Sequence, residues 1–115
     1  MKTDFNRPPR VFRCGKIEIT DLGKILLEPW EMITLKTPEG KECDITATSW
    51  GYYLAPSLNA RLRREGYKVA LVVNEAGKYF INAVEKEKTD LFFRYLKEQG
   101  SRLLFWLDEG PEARR

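Results

Sequence analysis

One pattern occurs twice in this chain, and it limits the fold more than any other feature. Residues 31–66 and 67–100 each contain a strand, a turn ending in Gly-Lys, a second strand and a helix that ends at a glycine. A hairpin precedes the two segments, and the apolar stretch RLLFWLDEG follows them as a last strand. Strand-strand-helix units favour a largely antiparallel sheet with its helices packed against it. We therefore predict an α+β fold of two layers, with two helices on one face of the sheet, in the order ββ-ββα-ββα-β.

Local signals support these elements. The run Val69–Val73 is apolar at every position, which is typical of a central strand with both faces covered. Pro38 and Gly40 suit the second and fourth positions of a type I turn. The first helix is predicted over 56–65, and the second begins after Thr89, a favourable N-cap residue.

The chain divides into three parts at this level. Residues 1–10 hold two adjacent prolines and few apolar side chains, so we predict a flexible N-terminal arm. A single α+β domain is predicted over 11–109, opening with a strand over 11–19 and a turn at 20–23. Residues 110–115 are predicted to be a flexible C-terminal tail.

The composition excludes several classes of protein. With 43% hydrophobic and 32% charged residues the chain is too apolar to be disordered, and 115 residues suffice for one modest core. No apolar run approaches the roughly 20 residues of a membrane span, and we expect no signal peptide because residues 1–10 hold charges and prolines. We therefore expect a cytoplasmic protein without a membrane partner. Cys14 and Cys43 are too few for a disulfide framework and are expected to be buried thiols.

The charge pattern does not favour a polyanion partner. The formal net charge of +3 comes largely from basic residues near the two ends, so the remainder of the chain is nearly balanced. Nucleic acid therefore remains an alternative partner rather than the favoured one.

Catalytic chemistry has little support. The chain contains no histidine, which removes the commonest general base and metal ligand. Neither a phosphate-binding glycine motif nor a cluster of metal-ligating residues is present. The remaining candidates for acid-base catalysis are two carboxylate pairs, Glu85 with Glu87 and Asp108 with Glu109. Charged residues or a chain end flank each pair, which favours a solvated sheet edge over a catalytic cleft. We predict no catalytic residue, no metal site and no cofactor.

The segment 49–66 carries the strongest functional signal. It combines aromatic side chains that have polar atoms with a cluster of arginines, the residue types enriched at protein-binding hot spots. The arginines also suit a solvated helix end, and Trp50 is more readily explained as a cover over the core. The candidate binding residues are Trp50, Tyr52, Tyr53, Asn59, Arg61, Arg63 and Arg64.

Three functions fit this segment. The first is a small non-catalytic binding or regulatory module that contacts a protein partner or a second copy of itself. The second is a single-stranded nucleic-acid binder, in which rings stack on bases and arginines bind phosphates. The third is a small enzyme acting on an anionic metabolite, which requires a pocket that joins tyrosines, Asn59 and an arginine.

Overall fold

The computed structural model describes residues 1–54 and 56–110, and it has the predicted mixed α+β character. Strands dominate, and all strand pairings given by the structure are antiparallel. The strands are β1 (Lys2–Cys14), β2 (Ile17–Leu26), β3 (Met32–Lys36), β4 (Glu42–Ala47), β5 (Tyr52–Tyr53), β6 (Tyr67–Val73), β7 (Tyr79–Glu85) and β8 (Arg102–Trp106). The helices are α1 (Arg61–Arg64) and α2 (Thr89–Glu98), with 3-10 turns at Lys86–Lys88 and Leu107–Glu109.

The strands form three small sheets, where the sequence predicted one. Their orders are β1-β2, β3-β4-β5 and β7-β6-β8. The described residues group into two compact units: unit 1 is Met1–Thr34 with Asp44–Leu54, and unit 2 is Leu35–Cys43 with the residues from 56 onward. The predicted 11–109 domain thus contains residues of both units, and we describe each unit by itself.

Unit 1 begins with a two-stranded ribbon. Residues 2–10, which we predicted to be a flexible arm, belong to β1 and pair with β2. The turn between the strands lies at Gly15 and Lys16 rather than at 20–23, because Gly15 adopts a φ of 64° that a two-residue hairpin turn uses readily. A register shift between Phe5 and Arg10 accommodates the two prolines of β1.

Unit 2 is built around β6, which is the central strand of its sheet, as predicted. Side chains of successive strand residues point to opposite faces, so Ala70 and Val69 lie on different sides of β6. The Ala70 side packs against Phe92 and Leu96 of α2, whereas the Val69 side packs against Leu62 of α1. The two helices therefore cover opposite faces of the strand, and the prediction of both helices on one face is wrong.

Both helix starts differ from the sequence predictions. The first helix begins at Arg61 and not at 56, because Ser57 accepts hydrogen bonds from the next turn: its Oγ from Arg61 N at 2.9 Å and its carbonyl from Leu62 N at 3.1 Å. The predicted N-cap Thr89 is instead the first residue of α2, and Lys88 occupies the cap position without a side-chain cap bond.

Three further sequence predictions concern the cysteines, the tail and the membrane. Cys14 is exposed and Cys43 is partly buried, so the expectation of two buried thiols is wrong for Cys14. Of the predicted tail, residues 111–115 lie outside the described residues. Among the residues that the structure describes, no helix is long and apolar enough to cross a membrane.

Candidate functional site

The three aromatic residues of the predicted site are all exposed in unit 1. Trp50, Tyr52 and Tyr53 are 70%, 63% and 52% exposed, so the expectation that Trp50 covers the core is wrong. Tyr52 and Tyr53 form β5, which pairs with Ala47 and Thr46 of β4. A short turn projects the Trp50 ring into solvent. It is held by hydrogen bonds from Thr48 N to the Gly51 carbonyl at 2.8 Å and from Trp50 N to Thr48 Oγ1 at 3.2 Å.

The glycine in this turn is required by its backbone conformation. Gly51 has a φ of 145°, which residues with a side chain rarely adopt. A Cβ atom added there would have no neighbour within 4 Å, so close approach of another backbone is not the reason for the glycine.

A fourth exposed aromatic residue, which sequence reasoning missed, is hydrogen-bonded to the same strand, β4. Trp30 donates its backbone N–H to the Ala47 carbonyl at 2.7 Å, and Ala47 N donates to the Glu31 carbonyl at 2.9 Å. Ala47 is also the β4 partner of Tyr52, so the Trp30 segment and β5 lie on the two sides of β4 at this residue. We call Trp30, Trp50, Tyr52 and Tyr53 the aromatic surface.

The backbone of Trp30 is unusual. Its φ is 70°, the left-handed region, where a bulky side chain is an outlier that costs about 1 kcal/mol or more. The ring is nevertheless 67% exposed, so burial of the side chain does not offset this strain. Outliers of this kind concentrate at functional positions. A sequence signal was available, since a tryptophan directly after Pro29 at the end of a strand is placed in a turn.

Tyr52 also lines a groove of unit 1. The groove has a volume of about 510 Å³ and lies against the open end of the β1-β2 ribbon. Its lining is largely apolar and includes two lysines and one aspartate. It is formed by Lys2, Thr3, Asp4, Lys24, Ile25, Leu26, Leu27 and Tyr52.

The remaining candidate residues lie in unit 2 and are also exposed: Asn59, Arg61, Arg63 and Arg64. Asn59 contributes to a second groove of about 350 Å³, shared with the Leu107–Glu109 turn. Arg63 bends back toward that turn, where its Nη2 donates to the Asp108 carbonyl at 2.9 Å. Arg63 therefore has a structural contact that sequence reasoning did not anticipate.

Asp108 is buried, which corrects the view of its carboxylate as part of a solvated edge. Its Oδ1 accepts a hydrogen bond from Val69 N at 2.9 Å. Its Oδ2 lies 3.4 Å from Lys68 Nζ and 3.8 Å from Arg63 Nη2. The carboxylate thus ties the Leu107–Glu109 turn to β6, and the sequence offered no signal for this because the contacts span about 40 residues.

The other carboxylate pair belongs to an ion-pair network in unit 2. Lys41 contacts both Glu85, at 3.2 Å, and Glu87, and Lys88 lies 2.9 Å from Glu85. The hydrogen bond from Lys88, followed by that from Lys41, lowers the pKa of Glu85 below its ordinary value. The hydrogen bond that Lys41 donates to Glu87 raises the pKa of Lys41. A general base near neutral pH needs the opposite shift in a carboxylate, so the lowered pKa of Glu85 does not suit that role.

No protein-family model matches the chain, and comparisons with curated proteins and with solved structures give no match either. Within residues 1–54 and 56–110, no group of three or more Cys, Asp and Glu side chains is arranged to hold a metal ion. The site must therefore be interpreted from its own geometry, in which the aromatic surface is the feature with the least structural explanation.

Proposed function

We propose that the protein is a small non-catalytic binding module that contacts a protein partner through the aromatic surface. The observation that carries the proposal is the exposure of four large rings in one unit, at 67%, 70%, 63% and 52% for Trp30, Trp50, Tyr52 and Tyr53. Tryptophan and tyrosine dominate the binding energy of protein interfaces, because a rigid ring buries much area at little entropic cost.

The backbone supports this proposal in two ways. β5 and the turn before it are fixed by hydrogen bonds to β4 and Thr48, so the rings are presented by an ordered support. The left-handed backbone of Trp30 holds a ring in solvent at an energetic cost, which complex formation would offset. The partner expected is a folded protein or segment that offers apolar side chains, with acceptors for the indole N–H and donors or acceptors for the tyrosine hydroxyls.

The proposal is tested by comparative capture. Immobilised wild-type protein, the double variant Trp50→Ala/Tyr53→Ala and the control Tyr79→Ala are exposed to lysate of the source cells, with nuclease present. Tyr79 is 69% exposed on β7 of unit 2, so its loss removes a similar exposed ring elsewhere. A protein captured by the wild type is then purified and titrated against all three, with tryptophan fluorescence as the readout.

We expect the purified partner to bind the wild type and the control equally and to bind the double variant at least about thirtyfold more weakly, as for loss of two hot-spot residues. Equal affinity of all three proteins would refute the proposal. Capture that disappears with nuclease and weakens steeply with salt would favour the single-stranded nucleic-acid alternative instead. The enzyme alternative and the cytoplasmic location stay predictions of the sequence.

A further inference from the structure

The outer edge of β7 is open in the sheet β7-β6-β8. The strand order gives β7 one neighbour, β6, and in the part of the chain that the structure describes no other strand pairs with it. Proteins usually protect such an edge with prolines, charges or a bulge, because its unpaired backbone groups can bind a further strand. Residues 79–84 of β7 contain no proline and no charged residue. This edge therefore lacks the usual protection against pairing.

The other edge of the same sheet is formed by β8 and is better protected. β8 begins with a charged residue, Arg102, and its pairing with β6 shifts register between Leu71 and Val72. An irregularity of this kind bends a strand and interrupts its row of hydrogen-bonding groups. The pairing of β6 with β7, by contrast, has no register shift along its whole length. Of the two edges, β7 is the one with a regular row of backbone groups.

The hydrogen bonds at both ends of the β6-β7 hairpin show which groups of β7 face outward. At the turn Asn74 N donates to the Lys78 carbonyl at 3.0 Å, and at the far end Lys86 N donates to the Gly66 carbonyl at 2.7 Å. In an antiparallel pair, hydrogen-bonded residues alternate with residues whose N–H and C=O groups point away from the partner strand. Both ends give the same alternation, in which the even-numbered residues of β7 bond to β6. The outward-facing backbone groups in the open stretch are those of Tyr79, Ile81 and Ala83.

The side chains along this edge are exposed and apolar. Tyr79, Phe80 and Ile81 are 69%, 47% and 62% exposed, and Ala83 is exposed as well. The exposed stretch ends at Val84, which is buried. It therefore spans residues 79–83 and has Ile81 at its centre.

A second copy of the same edge fits this stretch about a two-fold axis at Ile81. When β7 pairs antiparallel with β7 of a second copy in this register, Ile81 lies opposite Ile81, and Tyr79 lies opposite Ala83 on each side of the axis. These three pairs join outward-facing residues, so they exchange about six backbone hydrogen bonds. Each tyrosine ring also lies opposite a small side chain, which leaves room for it.

The helix face of the joined sheet offers a second contact. The two-fold axis is perpendicular to the sheet, so the α2 helices of both copies lie on the same face. Each α2 packs against Ala70 and Val72 of β6, and the two β6 strands would lie about 14 Å apart, which is three strand spacings. Packed helices lie about 8–10 Å apart, so side chains between the two α2 helices must fill the difference.

Two exposed apolar side chains are placed to fill this space. Phe80 points to the helix face, because its β6 partner Val72 belongs to the cluster packed against α2. Leu91 is 57% exposed and lies about 160° around the helix from Phe93. The Phe93 ring meets the Trp106 ring of β8 at 6.2 Å between centroids, so Leu91 lies on the β7 side of α2.

These features favour a second copy over an unrelated strand as the occupant of the edge. Homodimer interfaces are more apolar than transient ones, and a two-fold contact uses the same patch on both subunits. Residues 79–83 meet both conditions, since they carry no charge and pair with themselves over the whole exposed stretch.

We propose that β7 is a homodimerisation edge, through which two copies join their β7-β6-β8 sheets into one six-stranded antiparallel sheet centred on Ile81. The edge belongs to unit 2 and shares no residue with the aromatic surface of unit 1, so either proposal can fail alone. Tyr79→Ala, the control for the aromatic surface, should therefore keep its affinity for the protein partner even where it weakens the dimer.

Amide hydrogen exchange tests the pairing residue by residue. The amides of Phe80, Asn82 and Val84 bond to β6 and should be protected at every protein concentration. The amides of Tyr79, Ile81 and Ala83 bond only across the dimer, so their protection should rise several-fold as the concentration passes the dissociation constant measured by sedimentation equilibrium. The even-numbered amides serve as an internal control in the same strand.

Charge substitution on the axis tests the register. Ile81→Lys and Ile81→Glu each place two like charges opposite one another, which should weaken the dimer about tenfold or more in sedimentation equilibrium. An equimolar mixture of the two variants should restore a one-to-one dimer, because Lys then lies opposite Glu. Leu22→Lys is the matched control: this aliphatic residue of β2 in unit 1 is 63% exposed, and its substitution should leave the dimer unchanged.

Circular dichroism checks that the charge variants fold; if they do not, exchange in the wild type decides. A wild-type monomer up to high micromolar concentration overturns the proposal, as does a mixture of the charge variants that is as weak as each variant alone. Protection of the odd-numbered amides that appears only when another protein is added would assign the edge to that protein and overturn the homodimer.

Discussion

Asp108 offers a sharp test of whether a buried carboxylate in this protein serves structure. The carboxylate of Asp108 is 2% exposed and accepts from Val69 N at 2.9 Å, with Lys68 Nζ at 3.4 Å. Asp108→Ala removes every side-chain contact, whereas Asp108→Asn keeps an oxygen that can accept from Val69 N. The two variants therefore separate the hydrogen bond from the charge.

The expected cost follows from the groups left behind. In Asp108→Ala the N–H of Val69 loses its acceptor in a buried position, which costs about 1–3 kcal/mol. Loss of the contacts with Lys68 and Arg63 adds about 1 kcal/mol or less, because both cations are partly exposed and screened by water. We therefore expect a loss of about 2–4 kcal/mol for Asp108→Ala and about 1 kcal/mol for Asp108→Asn.

The assay is equilibrium unfolding in urea, followed by far-ultraviolet circular dichroism. Glu109→Ala is the matched control, because this neighbouring carboxylate is 45% exposed and also lies 3.4 Å from Lys68 Nζ. Its free energy of unfolding should change by about 0.5 kcal/mol or less. If Asp108→Ala is no less stable than Asp108→Asn, the hydrogen bond to Val69 N does not contribute as argued.

Two more predictions concern pH and a close backbone approach. Hydrogen bonds from Lys88 and then Lys41 lower the pKa of Glu85, so the ionised carboxylate favours the folded state. This stabilisation is present above about pH 4.5 and is lost as the pH falls through the lower pKa of the folded protein. Lys88→Met should therefore reduce the loss of unfolding free energy at acid pH, measured by unfolding at a series of pH values. Gly23→Ala should destabilise the ribbon by about 2 kcal/mol or more, since its Cβ would lie 2.3 Å from the Asp4 carbonyl oxygen. The measurement is hydrogen exchange of the ribbon amides, which should be faster in this variant. In the control Gly77→Ala, whose Cβ has no neighbour within 4 Å, exchange of the ribbon amides should match that of the wild type.

Short-range sequence signals predicted the parts of the fold that depend on neighbours in the chain. The hairpin joining β3 and β4 turns as expected, with Gly40 N bonded to the Thr37 carbonyl at 2.9 Å. The apolar run Val69–Val73 lies in the central strand of its sheet, because a segment apolar on both faces must be covered on both. The α+β class followed from the same periodicities.

The N-terminal ribbon shows where such signals fail. Two prolines suggested an irregular arm, yet a register shift in β1 absorbs them while pairing continues on either side. The strand predicted over 11–19 also includes the turn at Gly15, because the alternation of residues in the sequence does not reveal where a strand reverses. Both the inclusion of residues 2–10 in β1 and the place of the turn depend on the pairing of β1 with β2, which local sequence patterns do not specify.

The amino-acid sequence by itself determined the class of fold, the central strand and the absence of histidine chemistry, because these depend on composition and on local spacing. Only the tertiary structure decided which face of β6 each helix covers, that Asp108 is buried against Val69, and that the Trp30 segment and Tyr52 both pair with Ala47. The physical reason is that burial and proximity arise from contacts between residues far apart in the chain. The free energy of such a contact depends on both residues and on their surroundings, so it cannot be assigned to either position alone.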